Sequence, residues 1–277
     1  ILPSSAKNAR KQKRVGAPIR TPRAIEVEYR RALLELNRAT KNSTKLIGKA
    51  IRDGATRAEA VRLVEQQIAE SRARYQAAAN QLPGSVTQAM STRGKEQVQN
   101  MVKRSLGVDF ATIVDNELIG EELEVAKMRN ARLIQTISEE HWGRVVQAVS
   151  DSYAGRSFEE GSLTKRLQKI GGISDSRARV IARDQTAKLS TDLARIRQEE
   201  VGIVSYIWRN SQDNRVVGKP GGLYPTGNSR HRNHWEREGK EFRWDSPPPD
   251  GHPGQAILCR CRAEPVIDIG QLNATYV

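Results

Sequence analysis

The chain has 277 residues, with 46 Lys and Arg against 32 Asp and Glu, for a formal net charge of +14. Only 37% of it is hydrophobic and 28% is charged, which argues against a thick sandwich or barrel and for helices that each bury one face. No run of about 18 apolar residues occurs, so no transmembrane helix is expected, and two Cys are too few for a disulfide framework.

Residues 1–25 carry Lys7, Arg10, Lys11, Lys13, Arg14, Arg20 and Arg23 and no acid. Pro3, Pro18 and Pro22 interrupt any helix there, so the segment reads as an extended basic arm suited to phosphates or to an acidic groove. From Ala24 to Ala50 the positions Ile25, Tyr29, Leu33 and Leu36 follow helical spacing. Thr56 and Glu59 have the capping-box spacing ahead of Ala60, Val61, Val64 and Ile68. That helix is expected to end near Asn80, at Pro83-Gly84. A further helix from Ser85 to Leu106 would stop at Gly107, and Val108 to Ile119 is ambiguous between strand and helix.

Residues 120–150 carry the clearest helical period, with Val125, Met128, Ile134, Ile137, Val145 and Val149. Leu163 to Ile170 reads as a short helix closed by Gly171-Gly172. Ser174 is then a suitable N-cap for a helix to Glu200. After Gly202 the texture changes. Ile203 to Trp208 and Lys240 to Trp244 read as strands, separated by a long loop at 211–234. Three consecutive prolines, Pro247 to Pro249, exclude a ladder there. Ala256 to Cys261 and Ala263 to Ile269 are expected to return as strands. The fold class is therefore α+β: an extended all-helical N-terminal region, then a small α+β C-terminal domain. The expected divisions are a basic arm at 1–25, a helical region at 26–160 and the terminal domain at 161–277.

A field of this sign favours polyanions, nucleic acid first and an acidic protein surface second. The last hundred residues narrow the choice. Arg179-Val-Ile-Ala-Arg183-Asp184-Gln185 is followed by Trp208, Asp213, Arg215, His231 and Cys259-Arg260-Cys261. This order and spacing resembles the C-terminal domain of the phage Mu F-like minor head proteins, the head morphogenesis family of tailed phages. The resemblance runs from about Leu163 to Ile269. Asp213-Asn-Arg215 is similar to the family's Asp-x-Arg-x-Arg, with Val217 in place of the second Arg and His231 arriving after an insertion.

The resemblance implies a structural, non-enzymatic virion component inside the phage head near the portal vertex, made in the host cytoplasm. The portal protein and packaged double-stranded DNA would be its partners, with the major capsid or scaffold protein as further candidates and no membrane. The 26–160 helices would dock on the portal. The basic arm and the arginine faces, Arg195 and Arg197 among them, would meet DNA phosphates without base readout. Arg183 is expected to pair with Asp213 or with loop carbonyls.

Two other readings of the same residues stay open. Cys259 and Cys261 with His231, His234 or His252 supply zinc-ligand types, and Cys259, Cys261, His231 and His252 form the leading candidate set for a structural zinc. Apart from that, no cofactor is expected. Alternatively His231, Asn233 and His234 with Asp213 would serve a metal-dependent DNA-processing nuclease.

Overall fold

The computed structural model describes residues 13–107, 117–227, 232–269 and 272. The elements in chain order are β1 (Lys13–Val15), α1 (Arg23–Arg52), α2 (Arg57–Leu106), α3 (Glu117–Tyr153), α4 (Leu163–Glu200), β2 (Ser205–Arg209), β3 (Glu241–Arg243) and β4 (Arg262–Asp268). The helices are followed by three C-terminal strands, and the short β1 ahead of them, in the segment expected as an extended arm, joins the same small antiparallel sheet. No described helix is long and apolar enough to cross a membrane.

Several local signals act as expected. Thr56 caps α2: its Oγ1 accepts the Glu59 amide at 3.3 Å, while Glu59 accepts the Thr56 amide at 2.8 Å. Gly107, at φ +76°, closes the helix by donating its amide to the Lys103 carbonyl at 2.8 Å. Two expected breaks are absent. α2 runs through Pro83-Gly84, because a proline φ is compatible with helix and only one ladder bond is lost. α4 runs through Gly171-Gly172. Its start is Ser162, whose Oγ accepts the Lys165 amide at 3.3 Å. Ser174, expected as the cap, lies mid-helix and donates its Oγ–H to the Ile170 carbonyl at 3.2 Å.

The chain divides into two compact units. One comprises Arg23–Gln88 and Glu124–Gln185. Its apolar core gathers Ile47, Val64, Trp142, Val145, Val149, Leu167 and Ile170. Beyond this cluster the interior mixes buried apolar residues such as Leu33, Ile134 and Ile137 with polar side chains. Tyr75 donates to Asn37 Oδ1 at 2.5 Å, Asn37 Nδ2 donates to Asp175 at 3.2 Å, and Lys41 pairs with Asp175 at 2.6 Å. His141 stands between the hydroxyls of Thr44 and Ser174, at 2.8 and 2.9 Å.

Gly171 has a packing role here: a Cβ on it would come within 2.8 Å of Lys41 Cδ, whereas one on Gly172 would meet nothing within 4 Å. Helix propensity alone favours Ala over Gly by about 1 kcal/mol. Gly172→Ala is expected to realise most of that gain in urea unfolding. Gly171→Ala is expected to forfeit it by displacing Lys41 from Asp175, so equal stabilisation by both would contradict this packing.

The other unit comprises Ile1–Pro22, Ala89–Leu123 and Thr186–Val277. Its sheet has the order β1-β4-β2-β3, antiparallel throughout. β4 pairs Val266 with Ser205 of β2 and with Val15 of β1. Val98, Met101, Val102, Val201, Ile203 and Ile267 form one apolar cluster of this unit. Arg197, expected on a DNA-facing surface, is fully buried. Its Nη2 donates to Ser91 Oγ at 2.9 Å, and its Nη1 comes within 2.7 Å of where a Gly94 Cβ would stand, so the missing side chain makes room for the guanidinium. The segment Ala256 to Cys261 is not a strand. Turns run through 252–258, and Leu258 adopts the left-handed region at φ 58°.

Candidate functional site

The residues with distinctive chemistry gather beside β2. Strand alternation sends Tyr206 and Trp208 to one face, and both are fully buried with Trp244 and Cys261. Tyr206 lies 4.3 Å from the Trp244 ring centre, and Trp208 stands edge-on to His234 at 5.1 Å. The Arg237 guanidinium covers the Trp208 ring at 4.8 Å. Trp244 Nε1 donates to Gln198 Oε1 at 3.2 Å, closing the cluster against the end of α4.

At the rim of this aromatic group lie three side chains whose ligand atoms all fall within 4.8 Å of one another: His234, Cys259 and Cys261. His234 Nδ1 is 3.6 Å from Cys259 Sγ and 3.5 Å from Cys261 Sγ. On its other side His234 Nε2 meets Asp250 Oδ2 at 3.0 Å. The Asp250 side chain is only 4% exposed. The same Oδ2 accepts the Arg232 amide at 2.8 Å, and Oδ1 pairs with Arg237 at 2.7 Å. The Gly254 amide donates to Cys259 Sγ at 3.4 Å.

The electrostatics follow from this crowding. The hydrogen bond from Cys261 and the neighbouring imidazole pull the Cys259 thiol well below its ordinary pKa, against the cost of burial. Cys261 is pushed up by the same bond and by burial. Burial opposes a charge on His234, but contacts with Cys259 and Asp250 outweigh it and raise its pKa. Burial likewise opposes ionisation of Asp250, yet the Arg232 amide, Arg237 and His234 hold its carboxyl below the usual range. A thiolate, an imidazole and a buried carboxylate behind the imidazole are ligand types suited to a borderline-soft divalent metal.

Other expected site residues fall elsewhere. His252 does not join the thiols: its Nδ1 is 2.9 Å from the Tyr206 hydroxyl, and its ring packs edge-on to Trp244 at 4.9 Å. His231 lies outside the described residues. Asp213 is paired with Arg260, the residue between the two Cys, and its Oδ1 accepts the Arg215 amide at 2.8 Å. Among the described residues Arg260 is thus a cation set against Asp213. Burial works against the Asp213 charge, but the Arg215 amide and Arg260 lower its pKa. The Arg215 side chain is exposed. On α4 Arg179 is exposed, Arg183 half-buried and Asp184 buried, with Gln185 Nε2 donating to Asp184 Oδ2 at 3.0 Å.

The basic arm divides. Lys7, Arg10 and Lys11 lie outside the described residues. Lys13 pairs with Glu241 at 3.2 Å, Arg14 donates to the Ser105 carbonyl at 2.7 Å, and the Arg20 amide donates to Gln97 at 2.8 Å. The last three therefore dock the arm onto the sheet-bearing unit. Arg23 opens α1 and is exposed.

No family model matches the chain. No solved structure matches it either. A protein of Haemophilus influenzae described as uncharacterized is 28% identical over 280 residues. That alignment takes in 96% of this chain and 59% of the relative, so the chain spans less than two thirds of the curated protein it matches.

His234 is the metal-type ligand whose place the sequence left open among three histidines. Asp250 and Arg237, which fix it, gave no signal, since a carboxylate after three prolines reads as loop. The hint available was that Asp250 and Gly251 follow the prolines just ahead of Cys-x-Cys.

Proposed function

We propose that this chain is a minor head protein of a tailed phage, held at the portal inside the capsid and touching packaged DNA there. One observation carries the reading beyond the residue pattern. The motif residues of the terminal region are engaged with one another: Asp213 with Arg260, Trp208 in the aromatic cluster, and both Cys with His234. Such a network suits a rigid structural module. The net charge of +14 supports a polyanionic neighbour. Because the Lys13 and Arg14 side chains already have protein partners, the DNA contact falls to exposed cations such as Arg20, Arg23, Arg179 and Arg215.

The test is co-purification of the full chain with a portal ring, together with its presence in assembled virions. Particles that form normally without it would refute the reading. On duplex DNA, six to eight phosphate contacts would give a slope of about −5 to −7 in log affinity against log salt, independent of sequence. Divalent-metal-dependent cleavage of that DNA, abolished by His234→Ala, would instead favour the nuclease reading.

A further inference from the structure

The cluster of His234, Cys259 and Cys261 has a geometry more specific than its residue types. A tetrahedral zinc holds sulfur at about 2.3 Å and imidazole nitrogen at about 2.0–2.1 Å, which sets the nitrogen about 3.6 Å from each sulfur. The two nitrogen–sulfur distances here are 3.6 and 3.5 Å. Both thiols of the Cys-x-Cys therefore reach the same imidazole nitrogen.

The surroundings add independent support. His234 turns Nδ1 to the sulfurs because Nε2 is engaged by Asp250, the carboxylate–histidine arrangement that fixes a metal-ligating ring. Asp250 is itself anchored by the Arg232 amide and Arg237, so the orienting group is rigid. The Gly254 amide points at Cys259 Sγ at 3.4 Å, as expected beside a metal-bound thiolate.

We propose that His234 Nδ1, Cys259 Sγ and Cys261 Sγ bind one zinc ion, with Asp250 as the residue that positions His234. Among the described residues no further His, Cys, Asp or Glu joins the three, so the chain is assigned these three ligands. The ion ties the turn at His234 to the segment at Cys259–Cys261, 25 residues later, across chain that has little ladder of its own. Its role is to staple the terminal module. The site is separate from the portal and DNA contacts proposed above and stands or falls independently of them.

The experiment uses the full chain, expressed with zinc in the medium and purified without chelator. Elemental analysis is expected to find one zinc per chain. Cobalt substitution should give the visible bands of a tetrahedral thiolate site. Both thiols should resist a thiol reagent until a chelator is added, and zinc removal should lower the melting temperature. Asp250→Asn keeps the shape and should weaken zinc affinity by about 10–100-fold. Cys261→Ser should abolish the cobalt thiolate spectrum. His252→Gln, outside the cluster, should retain full occupancy. Wild-type protein that carries no zinc, binds none on titration and exposes both thiols at once would overturn the proposal, whatever the variants do.

Discussion

Replacing Trp208 with Ala is expected to destabilise the sheet-bearing unit by about 3–5 kcal/mol, the range for removing a large buried aromatic. Trp208 is fully buried, and its ring touches three different groups: His234 edge-on at 5.1 Å, Phe242 at 5.7 Å and the Arg237 guanidinium at 4.8 Å. The loss therefore combines the cavity with the aromatic and cation contacts, each worth roughly 0.5–1.5 kcal/mol. Trp208→Phe keeps a ring in place and should cost less than half as much. Urea unfolding followed by circular dichroism measures both. A Trp208→Ala loss below about 1 kcal/mol, the scale of surface changes, would mean that the ring is not the keystone of this cluster.

Acidification from pH 7 to pH 5 is expected to weaken the helical unit by about 2 kcal/mol through His141 alone, at about 1.36 kcal/mol per pKa unit. His141 is 1% exposed, and burial, helped by Arg144 and opposed by Asp175, lowers its pKa from 6.5 to about 4. Below pH 6.5 the unfolded chain takes up a proton that the folded unit refuses. Stability is therefore complete above pH 6.5 and falls as the pH drops toward 4. The raised pKa of His234 works in the opposite direction, in the other unit. The comparison that isolates the effect is wild type against His141→Gln. The variant should lose this slope between pH 7 and 5, and identical slopes would show that His141 is protonated in the native state.

How far the chain could be read in advance depended on whether a signal was local. The Thr56–Glu59 cap and the Gly107 stop act within one helical turn, and both are present. Pro83 and Gly171-Gly172 misled because neither forces a break: a proline φ fits the helix, and Gly171 is small for the sake of Lys41. The core stripe of α1 was visible at Tyr29 and Leu33 but continues through Asn37, Thr40 and Thr44, which no hydrophobic period reveals. At the site, Cys259 and Cys261 were legible as ligand types. The choice of His234 over His252 was not, because Asp250 and Tyr206 make that choice from distant positions. Arg197 shows the same limit: a basic residue on a basic helix reads as surface, while its burial involves Ser91 and Gly94, about a hundred positions away.

The pairing of Val15 with Val266 has a consequence for biosynthesis. These partners stand roughly 250 positions apart, and pairing at such separation is slow to close. A ribosome makes Lys13–Val15 well before Arg262–Asp268, so the first segment waits without its neighbour while the residues between them are synthesised. Chains that stop short of Arg262 would therefore leave that edge open for promiscuous strand addition.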